Sequence, residues 1–182
     1  MKKVCTLAFL ALAMVFTTEA VAQKFSGLDK SPADIAYYPN ESQNSNKTVR
    51  VIYSRPQLKG RSLSKLAPNG KVWRTGANEA TEITFYSDVN FGGKSIPAGT
   101  YSLFTIPGTD EWTVILNKNL NQWGSYSYDE AGDVARVTIP TGSDSEALEP
   151  FSIAFKEVDG GIEMVMGWDK TRVAVPIEMQ KM

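Results

Sequence analysis

From residue 48 onward, apolar and polar side chains alternate with a period of two almost without a break. The alternation predicts strands over 48–54, 80–86, 100–106, 112–117, 134–139, 151–158, 162–168 and 172–177. Each run is short, rich in β-branched and aromatic residues, and bounded by Gly, Pro, Asn or Asp. A further short strand at 94–96 lies between Gly92-Gly93 and Pro97-Ala98-Gly99. Pro107-Gly108-Thr109-Asp110 and Asp159-Gly160-Gly161 have the composition of tight hairpin connections. One helical turn, 63–66, is the sole helix candidate. Many short strands at this spacing predict one all-β domain, an antiparallel β-sandwich or jelly roll. The alternation places Ile83 with Phe85, Tyr101 with Leu103, and Trp112 with Val114 and Leu116 on inward faces. Ile153 with Phe155, and Met164 with Met166 and Trp168, complete the expected core. Methionine at this spacing fills irregular core space.

The first 47 residues lack this pattern. Lys2 and Lys3 precede a nearly unbroken apolar run from Val4 to Phe16, and Ala20-Val21-Ala22 supplies small residues at a cleavage position. A signal peptide over 1–22 is expected, giving an exported chain in the periplasm or outside the cell. The apolar run falls short of the roughly 20 residues a permanent span needs. Residues 23–47 form a polar lead-in, within which 34–38 can dock as an edge strand, and 48–182 is the β domain.

Composition narrows the chemistry. The 182 residues carry a formal charge of −1, so no basic surface for nucleic acid is expected. There is no histidine, and the single cysteine, Cys5, lies within the expected signal peptide. Ser–His–Asp and Cys–His catalysis therefore lack their base, and ordinary zinc or copper sites lack their ligands. No cofactor and no metal is implied.

Two stretches concentrate polar and aromatic groups. In "KVWRTGANEATEITF", Trp73, Arg74, Asn78 and Glu79 surround a turn at Gly76. Arg74 and Glu79 can form a partly buried ion pair that only holds the corner. Alternatively Arg74 grips a ligand carboxylate or sugar hydroxyl through its planar fork, with Asn78 and Glu79 assisting. In "NQWGSYSYDEAGD", Gly124 suggests a turn that presents Trp123 outward. Period two would put Tyr126 and Tyr128 on one face, a stripe suited to sugar rings or, equally, to capping the core. Asp129, Glu130 and Asp133 lack the dense oxygen alternation of a calcium loop. Arg55, Arg61 and Lys65 read as a solvated basic face, with Arg55 projecting at one end of the domain.

The segments "YSRPQLKGR", "VWRTGANEATEITF", "PAGTYSLFTIPG", "WTVILNK" and "NQWGSYSY" resemble an exported bacterial family, common in Bacteroidetes-type bacteria, catalogued only as a domain of unknown function. The resemblance runs from Val49 to Ile177. It implies a secreted β-rich fold and brings no activity or catalytic residue. The residues themselves point first to a non-catalytic binding module for glycan, peptide or another small ligand. Its candidate surface is Trp73, Arg74, Asn78, Glu79, Trp123, Tyr126 and Tyr128. A carboxylate-dependent hydrolase pairing Glu79 with Asp129 or Glu130 is the catalytic alternative, with carboxyls ~5–5.5 Å or ~6.5–9.5 Å apart. An assembly protein pairing exposed strand edges with a protein partner is the structural one.

Overall fold

A computed structural model describes residues 23–41, 43 and 45–179; the expected signal peptide lies outside them. Among the described residues the strands are β1 (Ala33–Tyr38), β2 (Val49–Ser54), β3 (Thr81–Phe85), β4 (Val89–Phe91), β5 (Lys94–Ile96), β6 (Gly99–Ile106), β7 (Glu111–Asn117), β8 (Asp133–Val158) and β9 (Gly161–Met179). They form one antiparallel sheet in the order β1-β2-β3-β6-β7-β8-β9-β4-β5. Among the described residues helix is confined to one turn, α1 (Leu63–Leu66), and a 3-10 turn, Glu130–Gly132. The all-β expectation holds, and one continuous sheet around a shared core is compatible with a sandwich.

Two expected pairs of strands are each one long strand. Residues 134–139 and 151–158 both belong to β8, and 162–168 and 172–177 both belong to β9. The Gly, Pro and Asp of 140–150 suggested a loop, yet the backbone stays extended through them. Pairing with β9 instead slips register between Ser143 and Leu148 and again before Ser152. β8 can thus pair with β7 through its first half and with β9 through its second. The three-residue β4 escaped the pattern because so short a run carries no period.

The expected core residues are buried, and they join Val49, Val51, Phe91, Phe151, Val175 and Ile177 in one cluster. Trp73 sits in its middle. Its ring stacks on Trp168 at 5.4 Å and meets Phe151 and Trp112 edge-on at 5.1 and 6.1 Å. A smaller cluster of Ala80, Phe104 and Ile115 is covered by Val72, Ile106 and Tyr128. It exists because β6 and β7 are buried on both faces at these positions.

The sheet curls until β1 and β2 meet the second half of β8, and side chains close that seam. Tyr53 Oη donates to the Ile153 carbonyl at 3.5 Å and accepts from the Ile153 N–H at 3.0 Å. Arg55 donates through Nε to the Phe151 carbonyl, through Nη1 to Asp34 at 2.9 Å, and through Nη2 to Ser152 at 2.7 Å. Asn40 donates to the Phe155 carbonyl, and Tyr38 to Glu157. Edge groups of β8 that a neighbouring strand would satisfy are satisfied here by side chains. Arg55 is therefore a clasp across the seam rather than a freely projecting charge.

Candidate functional site

The two polar stretches meet. Glu79 bridges Trp123, Ala80 N donates to the Gln122 carbonyl at 2.8 Å, and Gly124 N donates to the Asn78 carbonyl at 3.0 Å. Ser125 Oγ reaches the Val72 carbonyl at 3.0 Å. The segment 72–80 is anchored from below. Trp73 exchanges backbone hydrogen bonds with Thr105 of β6, at 2.7 and 2.9 Å. Thr75 is fully buried and donates to Thr105, while Thr81 donates to the Thr75 carbonyl at 2.7 Å. Thr75 and Asn78 hold positive φ angles of 55° and 61°, and a Cβ at Gly76 would press on the Ser54 carbonyl at 3.0 Å. The corner is a rigid platform.

Arg74 stands on this platform without a counter-ion. No carboxylate pairs with it among the described residues, and its Nε is shut away from solvent without an acceptor. Burial lowers its affinity for the proton; only Tyr126 opposes that, placing the Tyr126 hydroxyl within electrostatic reach. The expected Arg74–Glu79 ion pair does not form. Glu79 is exposed and lines a separate small cavity with Ile52, Ser54 and Glu82. Glu82 itself accepts from the Asn121 N–H at 3.1 Å.

The aromatic residues divide. Trp123 is 63% exposed and Tyr126 85% exposed. Gly124 has φ 69°, and a Cβ there would strike the Tyr126 ring at 2.8 Å, so this ring folds back over the glycine. Tyr128 does not share its face, because residues 124–127 turn rather than extend. Tyr128 packs edge-on against Phe104 at 5.1 Å and donates to Asp133 at 2.6 Å. Desolvation, and then Asp133 beside it, push its phenol well above the usual range. Trp73 lies in the core and supports the corner from beneath. Open to a ligand are Arg74, Trp123 and Tyr126.

The acidic stretch serves β8. Asp129 accepts from Ala131 N at 3.0 Å, capping the 3-10 turn. Arg136 holds Asp133 at 2.8 Å and Glu130 at 3.4 Å. Buried Asn117 donates to Asp133 and to the Asp129 carbonyl, both at 2.8 Å. The Asp133 carboxylate is engaged with Arg136, Tyr128 and Asn117, and that of Glu130 with Arg136.

One neighbour of the corner carried no signal in the sequence. Asp29 of the lead-in accepts from the Ser31 N–H at 2.7 Å; that bond first, then the nearby Asn78 side chain and Lys30, holds its carboxyl below the ordinary value. Leu28 beside it is fully exposed. A single Asp in a polar run has no period to mark it.

An all-β domain with a half-buried, uncompensated arginine on a hydrogen-bonded corner defines a class: a β scaffold with a built polar corner. The chain belongs to the protein family described as Protein of unknown function (DUF2911), whose model matches residues 31–177, from just before β1 nearly to the end of β9. No curated protein and no solved structure matches the chain.

Proposed function

We propose that the protein is an exported, non-catalytic binding module that takes an anionic ligand at Arg74, flanked by Trp123 and Tyr126. The single observation behind this reading is the uncompensated Arg74. Burying part of a charge without a partner costs stability, and a protein that needed Arg74 only for architecture would be better served by an apolar side chain. A carboxylate supplies the missing counter-charge, with charge-assisted hydrogen bonds to the guanidinium ends. Glycan, peptide and small-molecule acids all carry such a group. Export rests on the Lys2-Lys3, apolar run and Ala20-Val21-Ala22 pattern of the N-terminus.

Thermal unfolding of the chain from Gln23 to Met182 with increasing sodium salts of organic acids tests this reading. Dose-dependent stabilisation by at least one acid is expected, with none in Arg74→Met. Equal stabilisation of both proteins would place the anion elsewhere.

A further inference from the structure

We infer that the ligand is a carboxylate carried on a flat apolar body, rather than a polyhydroxylated sugar acid. The inference rests on the anion-binding reading above and concerns what surrounds the charge. A sugar requires several directional hydrogen-bonding groups free at the site. Several of the groups that could have supplied them are engaged within the protein. Asn78 gives its carbonyl to Gly124 at 3.0 Å. Gln122 gives its side-chain amide to the Leu120 carbonyl at 3.0 Å, and its own carbonyl accepts from Ala80. Ser125 is held by Val72, and Thr75 and Thr81 bond within the corner.

What the corner leaves free is one cation and apolar surface. Trp123 and Tyr126 expose their rings. Asp29 has Lys30 beside it, so it does not supply the charge Arg74 lacks. Glu79 is exposed and lines a separate cavity, so it supplies no counter-charge either. One cation facing one acid group suits a monoanion. Flat rings at its side suit an aromatic or conjugated body, which stacks on Trp123 and Tyr126 and releases water from both.

Calorimetric titration of the chain from Gln23 to Met182 with phenylacetate, glucuronate, benzyl alcohol and inorganic phosphate tests this. Phenylacetate is expected to bind, weakened at least about tenfold by Arg74→Lys, which keeps the charge and loses the fork. Trp123→Ala is expected to weaken it about 2- to 10-fold. Glucuronate binding that depends on Arg74, with phenylacetate inert, would overturn the apolar body and leave the anion reading standing. Phosphate binding more tightly than phenylacetate would overturn the monoanion. Benzyl alcohol binding as well as phenylacetate would show that the rings act without Arg74 and overturn the inference. If no anion binds, the anion-binding reading falls with it.

Discussion

Single side chains here settle questions that composition leaves open. Tyr53 is buried, and its hydroxyl serves both the N–H and the carbonyl of Ile153. Tyr53→Phe keeps the ring and strands both groups, so a loss of about 1–3 kcal/mol in urea unfolding is expected. Gly124 holds φ 69° with the Tyr126 ring against it. Gly124→Ala should cost about 1–3 kcal/mol and swing Tyr126 away, seen as altered Tyr126 ring shifts by NMR. Asp29 has its carboxyl held below 3.8 by the Ser31 N–H, the Asn78 side chain and Lys30. A depressed acid pKa means the contact is complete above the unfolded value and lost as pH falls through the folded one. Below about pH 4, therefore, the Ser31 backbone amide signal should move toward that of a free amide, and Asp29→Asn should abolish the transition.

At the scale of elements, alternation made most of the strands legible because one face of each meets a common core. Ile83 with Phe85 and Met164 with Met166 are examples, both pairs buried as the pattern required. Alternation does not show continuity. Nothing in 140–150 says that β8 runs on through Gly142 and Pro150, because that follows from pairing with a strand distant in sequence. The corner was legible as a density of polar and aromatic residues, and its two halves were legible separately. That Glu79 would bridge Trp123 depends on the curl of β3, β6 and β7, which no local spacing encodes. The same limit explains Arg55, whose partners Asp34 and Ser152 come from both sides of the seam. Arg55→Ala should loosen β1 while leaving the central strands intact. Hydrogen exchange should then rise at the β1 amides bonded to β2, and not in β6 or β7.

For the whole molecule, the curled sheet separates the residues that hold the fold from the corner proposed to bind. The core around Trp73 holds the fold, and the platform above it keeps Arg74, Trp123 and Tyr126 in place with its own hydrogen bonds. On the proposed reading Arg74 keeps its uncompensated charge for a ligand, and the fold does not depend on it. Urea unfolding of Arg74→Met against the parent chain tests this most directly. The account predicts a midpoint equal to or above the parent's, since an apolar side chain of similar length removes a desolvated cation. A loss of more than about 2 kcal/mol would make Arg74 part of the architecture and contradict the claim that its charge is kept for a ligand.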